Sequence, residues 1–336
     1  MKVLIDIVHP AHVHFFKFII RDLKKNHHQV IITSRKKTIT EELLEEENIP
    51  YISLGDYKSN LDKIIKTIPI IIKLIIILKH FKFGKKDFIM GISPVHASIA
   101  SKFVKSTCIG FTDTDFAPEQ FYICSFFSNF IFTPTWFPLK VYGAKHIKYE
   151  GCHEYTYLNT KYFTPKVEII RKYGLNANKF IVVRLIDWDA THDIGKKGIQ
   201  DINKFLNILS GKYEVLLTSE SPISKKWKKK LYKGKLGDFH HFLFFSAGYI
   251  GEALTTAQEA LVLGKPSVVI NPIKCLLFEQ FNSNNELCRK TSNFLEAINI
   301  LDNLVNLDEK MKEEMAYRYR KNFIDLNQFI LKFINS

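Results

Sequence analysis

Three histidines follow the first apolar run of the sequence. Val3–Val8 predicts a buried strand, and His9, His12 and His14 come directly after it in the segment HPAHVH. Histidine gains and loses a proton near neutral pH, so this segment could supply a general acid, a general base or a substrate contact. Because His12 and His14 are two residues apart, they cannot share one face of a helix. Helix capping or packing remains the alternative for some of them, and the spacing does not favour zinc.

Two aspartates follow a later strand, predicted over Thr107–Phe111, in the segment TDTD. Clusters of Asp and Thr often form turns and helix caps, which is one interpretation. The other is chemical, since Asp113 or Asp115 could accept a proton from a hydroxyl nucleophile or pair with one of the early histidines.

A basic loop follows the strand predicted over Phe180–Arg184. Arg184 could hold a diphosphate through two parallel hydrogen bonds, and Lys196 could add a point charge. A loop of helix caps and salt bridges is the alternative. The pattern therefore indicates an anion site without requiring one.

The segment GYIGEALTTAQEALVLGKP at 248–266 predicts a strand, a short loop and a helix. We expect the strand to end at Ile250 and Thr255 or Thr256 to cap the helix. Free backbone N–H groups and a threonine hydroxyl at a helix start suit a phosphate. Glu259, about one turn further on, could accept hydrogen bonds from ribose hydroxyls, although a glutamate there also interacts favourably with the helix dipole.

Strands alternating with helices along both halves of the chain would position these loops. The first series ends with a strand at Phe130–Thr133, and the second begins at Phe180–Arg184. This alternation predicts a doubly wound α/β fold with parallel sheets, which binds ligands at the carboxyl ends of its strands. We expect a Rossmann-like domain over 1–160, a second over 161–310, and a helical segment over 311–336 that packs back on the first.

Composition places limits on the class of protein. The chain has 336 residues, of which 46% are hydrophobic, so it can bury two cores and is neither disordered nor collagen-like. Its net charge of +14 favours anionic partners such as nucleic acid, an anionic membrane or phosphorylated small molecules. Five cysteines without CxxC spacing, and an apolar strand where a signal peptide would stand, predict a cytoplasmic protein.

The segment Ile64–Phe83 is rich in isoleucine and leucine. Lys66, Lys73 and Lys79 interrupt it, and Pro69 lies inside it, so it does not read as a membrane-spanning helix. It predicts either a core helix or a basic amphipathic helix in peripheral contact with the inner face of an anionic membrane.

The segment 225–235 contains seven lysines together with Trp227 and Tyr232. Lysines interspersed with aromatic residues make nucleic-acid binding a function to consider. Runs of charge usually form solvated surfaces, and no helix-turn-helix or ribonucleoprotein signature accompanies this one. We therefore expect no sequence-specific nucleic-acid partner.

Several of these segments together resemble a known family, domain-of-unknown-function family 354. The resemblance spreads over residues 1–280. It rests on the stretches DIVHPAHVHFF at 6–16, FTDTDFA at 111–117, YEGCHEYTYL at 149–158, VVRLIDWDATHDIGKKG at 182–198, LTSE at 217–220 and HHFLFFSAGYIGEALTTAQEALVLGKP at 240–266. Family members look like GT-B glycosyltransferases and non-hydrolysing UDP-N-acetylglucosamine 2-epimerases.

That resemblance implies two Rossmann-like domains facing a cleft, with the acceptor on the first and a nucleotide-sugar donor, such as a UDP-sugar, on the second. It implies a base among His14, Asp113 and His12. Glu259 would hold the ribose, and Thr255 and Thr256 the diphosphate. The remaining donor-binding residues would be Arg184, Trp188, His192, Lys196, Ser219, Glu220, Gly251 and Glu252. Ala253 and Leu254 depart from the family's Gly-rich pattern and would hold a phosphate farther from the backbone.

The function that follows is a metal-independent glycosyltransferase of polysaccharide or glycolipid synthesis, with a saccharide or lipid-linked acceptor and no resident cofactor. The alternative is a nucleotide-sugar 2-epimerase, which removes and returns a proton at carbon 2 through an eliminated intermediate. Asp113, Glu150, Glu154 and His192 could supply its acids and bases.

Overall fold

The computed structural model describes residues 1–35, 38–55, 63–188, 198–284 and 286–336. The chain forms two compact units. The first joins residues 1–157 with 323–336, and the second holds residues 158–322. Each unit contains one parallel sheet with helices in its crossover connections, which confirms the predicted α/β class.

The first unit is built on a seven-stranded sheet with the order β3-β2-β1-β4-β5-β6-β7, in which every neighbouring pair is parallel. Its strands are β1 (Lys2–Ile7), β2 (Gln29–Ser34), β3 (Ile52–Ser53), β4 (Phe88–Ile92), β5 (Thr107–Phe111), β6 (Phe130–Pro134) and β7 (Lys145–Tyr149). The sequence patterns missed β7, because KHIKY lacks the apolar run that marks a strand buried on both faces.

Helices cover both faces of this sheet. They are α1 (Pro10–Lys25), α2 (Thr38–Glu46), α3 (Lys63–His80), α4 (Val95–Val104), α5 (Pro118–Phe127), α6 (Tyr155–Leu158, at the boundary with the second unit) and α14 (Leu326–Asn335). Because the strand order runs outward from β1 in both directions, right-handed crossovers place α1 and α2 on one face and α3, α4 and α5 on the other. The C-terminal helix α14 packs on α1, and its Phe333 contacts Phe130 and Phe132 of β6.

Helix α3 buries one side and exposes the other. Ile70, Leu74 and Leu78 lie in the core below it, while Lys73 and Lys79 on the helix are exposed. Among the described helices, none combines the length and apolar character needed to cross a bilayer.

The second unit is built on a five-stranded parallel sheet with the order β12-β11-β10-β8-β9. Its strands are β8 (Phe180–Leu185), β9 (Glu214–Ser219), β10 (Gly248–Gly251), β11 (Ser267–Ile270) and β12 (Cys288–Thr291). Its helices are α7 (Val167–Arg171), α8 (Ile202–Ser210), α9 (Phe239–Phe245), α10 (Leu254–Val262), α11 (Leu276–Ser283), α12 (Phe294–Val305) and α13 (Glu309–Arg320). The lysine-rich Lys225–Lys230 forms a single 3-10 segment after β9.

Candidate functional site

A buried ion pair holds the carboxyl end of β1. Asp6 accepts two hydrogen bonds from the guanidinium of Arg35, at 2.8 and 3.0 Å, and a third from the hydroxyl of Thr33 at 2.7 Å. His96, at the start of α4, lies near this pair, and its pKa is lowered by burial and by Arg35, with Asp6 opposing. The Asp6–Arg35 pair fixes the strand ends from which the histidine loop departs.

The early histidines have local contacts. His9 is the N-cap of α1, and its Nδ1 accepts a hydrogen bond from the amide of Ala11 at 3.2 Å. Nδ1 of His12, which is buried, accepts from the amide of Val8 at 3.4 Å. These contacts are the capping and packing roles that the sequence left open. They leave the predicted catalytic role of His12 untested.

His14, the other histidine predicted as a base, lies one turn into α1. Its ring stacks on that of Tyr157, with 5.3 Å between the centroids. Its role in proton transfer therefore stays a prediction.

Asp113 pairs with a histidine that the sequence analysis did not select. Oδ2 of Asp113 lies 3.1 Å from Nδ1 of His153, which is 7% exposed, and the ring of Phe15 packs edge-on against the imidazole at 4.7 Å. Nε2 of His153 is buried without a hydrogen-bond partner among the residues that the structure describes. When Nδ1–H of His153 donates a hydrogen bond to the carboxylate of Asp113, Nε2 carries the lone pair that can accept a proton.

Burial lowers the pKa of His153, because the charged imidazolium is poorly solvated there, and the negative charge of Asp113 opposes that shift. The imidazole is thus held in its basic, neutral form. His153 belongs to the YEGCHEYTYL stretch and follows β7. We selected candidate residues from the loops that follow predicted strands, where parallel sheets bind ligands. Because β7 was not predicted, His153 was not selected.

Tyr149, the last residue of β7, adds a second buried polar group. Its hydroxyl has no hydrogen-bond partner in the described part of the chain. Its pKa is raised well above the ordinary value, first by burial and then by the negative charges of Asp113, Cys152 and Glu154. A neutral phenol beside the Asp113–His153 pair is a hydrogen-bond donor for an oxygen-rich ligand.

In the second unit, three predicted donor-binding residues lie at the carboxyl ends of β8 and β9. Arg184 donates a hydrogen bond from Nη2 to Oε1 of Glu220 at 2.7 Å. The Nε of Arg184 is buried and has no partner within the described residues. Ser219 donates its hydroxyl proton to the carbonyl of Ser221 at 2.7 Å. Glu220 thus holds one N–H group of Arg184, and the contact of Arg184 with a diphosphate stays a prediction.

Glu252 and Trp188, also predicted to bind the donor, contact each other. The buried carboxylate of Glu252 accepts from the indole Nε1 of Trp188 at 3.2 Å and from the amides of Ile186 at 2.9 Å and Ile199 at 2.8 Å. Burial raises its pKa, and these three hydrogen bonds oppose the shift. These bonds anchor both ends of the loop that begins after β8. The predicted residues His192 and Lys196 lie outside the described residues.

Two glycines make room for this arrangement. A Cβ on Gly198 would lie 1.8 Å from Oε1 of Glu252. A Cβ on the predicted site residue Gly251 would lie 2.3 Å from the carbonyl oxygen of Arg184. Both positions require glycine because another group already occupies that space.

Helix α10 begins two to three residues earlier than predicted, which changes the roles of its threonines. Leu254 is its first residue, and Ala253 is the N-cap without a side-chain hydrogen bond. The hydroxyl of Tyr249 bonds both the amide and the carbonyl of Ala253, at 3.1 and 3.0 Å. The expected cap at Thr255 or Thr256 is therefore wrong: both lie inside the first turn. Thr255 is exposed and Thr256 is buried, and their contact with a diphosphate stays a prediction.

Glu259 lies in the second turn of α10, deep in the second unit. Its Oε1 is 2.9 Å from Nε2 of His240 on α9, and both side chains are buried. One carboxylate oxygen is thus engaged within the protein, and the contact of Glu259 with a ribose stays a prediction. Among the described residues, no group of three or more His, Cys, Asp or Glu side chains is arranged to hold a metal.

Solved structures with this two-sheet architecture define its class, the GT-B type of fold. UDP-GlcNAc 2-epimerase from Neisseria meningitidis, bound to UDP-GlcNAc, has a TM-score of 0.66 and 17% identity over 99% of both chains. UDP-GlcNAc 2-epimerase from Methanocaldococcus jannaschii, in complex with UDP-GlcNAc and UDP, has a TM-score of 0.68 and 13% identity over 92% of this chain and 94% of its own. Glycosyltransferase VinC, in complex with dTDP, has a TM-score of 0.65 and 10% identity over 100% and 99%.

The family follows from the sequence itself. The model of the family described as "Protein of unknown function (DUF354)" matches residues 1–330, and the chain belongs to this family. No curated protein sequence gives a significant match. The resemblance seen in the sequence is therefore confirmed, together with the fold that it implied.

Proposed function

We propose that this protein is a GT-B glycosyltransferase that moves a sugar from a nucleoside diphosphate to a hydroxyl group of a saccharide or lipid-linked acceptor. The single observation that carries the proposal is the buried Asp113–His153 pair, whose Nε2 has no hydrogen-bond partner among the described residues. The pair lies at the carboxyl edge of a parallel sheet, where such folds bind ligands. The solved structures of the same fold, which hold UDP-GlcNAc, UDP or dTDP, support a nucleotide-sugar as donor.

The proposed transfer begins at His153. The acceptor hydroxyl gives its proton to Nε2 while its oxygen attacks the anomeric carbon of the donor sugar. The bond between that carbon and the diphosphate oxygen breaks, and its electron pair leaves with the nucleoside diphosphate. Asp113 stabilises the imidazolium that forms, because its carboxylate lies against Nδ1.

The second unit binds the donor in this proposal. A departing nucleoside diphosphate gains negative charge, which must be balanced. Arg184 and the N-terminus of α10 provide positive charge and backbone donors at the carboxyl edge of the second sheet. A contribution from Lys196, which lies outside the described residues, stays a prediction. Because these groups carry the charge, we propose that transfer requires no metal ion.

A nucleotide-sugar 2-epimerase is the second proposed function. Two of the three compared structures carry that activity in their names, at identities of 13–17%. An epimerase needs groups that remove and return the proton at carbon 2, and Asp113 and His153 with the neighbouring Glu150 and Glu154 could do so. Such an enzyme would need no acceptor.

One experiment separates the two functions. The protein is first screened by thermal shift against UDP-, GDP-, CMP- and dTDP-sugars, since a ligand at 100 times its Kd adds roughly 2.7 kcal/mol of stability. The stabilising sugar nucleotide is then incubated alone in D₂O and followed by NMR. Deuterium at carbon 2 identifies an epimerase, whereas inertness until an acceptor is added identifies a transferase. If no sugar nucleotide stabilises the protein, both proposals fail.

A further inference from the structure

One side of helix α3 presents isoleucines to solvent. Ile68, Ile72 and Ile76 are 62, 50 and 59% exposed, and their four-residue spacing places them in one stripe along the helix. The opposite side of α3 is buried in the core of the first unit. The exposed stripe is therefore additional to what the fold needs for its stability.

The neighbouring helices continue this apolar surface. Helices α3, α4 and α5 pack in that order on one face of the sheet. Phe103 of α4 is 64% exposed, and Ile123 and Phe126 of α5 are 43% and 65% exposed. We call the surface formed by Ile68, Ile72, Ile76, Phe103, Ile123 and Phe126 the outer face. Large apolar side chains exposed on three adjacent helices are a mark of a binding surface.

Lysines border the outer face at one end. The sequence from Lys63 to Lys105 has nine lysines and one acidic residue, Asp87, which is buried and paired with Lys2. The exposed Lys73 donates a hydrogen bond to the carbonyl of Leu54, and six further lysines are exposed and form no ion pair with a described residue. They are Lys79, Lys82, Lys85, Lys86, Lys102 and Lys105. All six follow or end α3 and α4, whose C-termini lie at the amino edge of the sheet, since crossover helices run antiparallel to the strands.

We propose that the outer face binds the surface of an anionic lipid bilayer. The isoleucines and phenylalanines enter the boundary between headgroups and acyl chains, and the lysines contact lipid phosphates. Charge selects this partner over a second copy of the chain, because two such faces in contact would bring their lysines together. The Asp113–His153 pair is at the carboxyl edge of the same sheet, away from the lysines, so docking through the lysines does not cover that edge.

The test is co-sedimentation with vesicles of phosphatidylcholine alone or with 30% phosphatidylglycerol, without any sugar nucleotide. We expect at least tenfold tighter binding to the anionic vesicles. The triple variant Ile68→Ser, Ile72→Ser, Ile76→Ser should lose binding to both. The quadruple variant Lys79→Gln, Lys82→Gln, Lys85→Gln, Lys86→Gln should lose the preference for anionic lipid, because each lysine contributes about fivefold to binding.

Matched controls lie in the second unit. Leu295→Ser, Met311→Ser, Tyr317→Ser removes an equal number of exposed apolar side chains, and Lys225→Gln, Lys226→Gln, Lys228→Gln, Lys229→Gln removes an equal positive charge. Both controls should bind vesicles like the parent protein, and circular dichroism should show all four variants folded. Equal losses in test and control variants would overturn the proposal. So would sedimentation velocity showing a dimer that only the isoleucine variant breaks, with vesicle binding unchanged. Since no sugar nucleotide is present, neither result depends on the transferase proposal.

Discussion

Asp113 and His153 meet across the carboxyl edge of the first sheet, with Oδ2 and Nδ1 3.1 Å apart. The aspartate follows β5 and the histidine follows β7, so the pair spans β6 between them. A carboxylate on Nδ1 fixes both the ring orientation and the tautomer that leaves Nε2 basic. This contact makes His153, rather than His14 or His12, the base that we expect.

Replacing His153 with glutamine tests that assignment. We expect kcat to fall about 10²–10⁴-fold, the usual contribution of a positioned general base, while the Kd for nucleoside diphosphate stays within about twofold. Steady-state kinetics and calorimetric titration measure the two quantities. His14→Gln is the matched control, and a larger loss in that variant than in His153→Gln would return the role to the histidine that the sequence favoured.

The pH dependence of turnover follows from the same pair. A general base must be neutral, and burial lowers the pKa of His153 from 6.5, so kcat/KM should keep its plateau below pH 6.5 and fall only in more acid solution. Asp113→Asn removes the negative charge that opposes this shift. In this variant the acid-side fall of kcat/KM should therefore lie at still lower pH, and the plateau value of kcat/KM should be smaller than in the parent. An acid limb that moves upward in Asp113→Asn would show that another group is titrating.

Sequence patterns predicted where Asp113 and Arg184 lie relative to the strands. Asp113 and Arg184 were selected because they follow apolar runs, and the structure places both at carboxyl edges of parallel sheets. His153 was missed because β7 is an edge strand with the pattern KHIKY, whose alternation is too polar to predict a strand. Its partner lies 40 residues away in sequence, a distance that no local pattern reports.

Long-range contacts also account for the residues whose surroundings differ from expectation. Glu252 and Trp188 look like ligand-binding residues in a loop, yet they bond each other across 64 positions. Glu259 was expected about one turn into its helix, but the hydroxyl of Tyr249 holds Ala253, the helix begins at Leu254 and Glu259 lies in the second turn. The local sequence cannot show that a side chain on a distant helix or loop will form a hydrogen bond with a carboxylate.

Glu220 should limit the affinity of Arg184 for phosphate. Arg184→Ala removes the guanidinium, and we expect UDP binding to weaken at least tenfold, because a charge-assisted hydrogen bond contributes about 1.5–3 kcal/mol. Glu220→Gln removes the competing negative charge while keeping the side chain's shape, so UDP should bind more tightly. Calorimetric titration measures both. Weaker binding in Glu220→Gln would show that Glu220 itself contacts the ligand.

Glu252 should matter for stability more than for binding. Glu252→Ala leaves the amides of Ile186 and Ile199 without their acceptor, and we expect a loss of about 3 kcal/mol or more in unfolding free energy. Urea denaturation measures the loss, with the exposed Glu313→Ala as control, expected within about 0.5 kcal/mol of the parent. A Glu252→Ala protein of unchanged stability that no longer binds nucleotide would restore the donor-binding role.

Buried histidines should make the folded state sensitive to mild acid. Burial lowers the pKa of both His96 and His153, so below pH 6.5 the unfolded chain binds protons that the folded chain does not. The stabilisation is complete above pH 6.5 and is lost as the pH falls, with a slope of at most about 1.4 kcal/mol per pH unit for each histidine. Urea denaturation at pH 7, 6 and 5 measures this slope. Burial also lowers the pKa of His28 and His146, so His96→Gln removes one of four such groups and its slope should be smaller than that of the parent. Equal slopes would mean that His96 takes up its proton in the folded state as readily as in the unfolded chain, which its place beside Arg35 argues against.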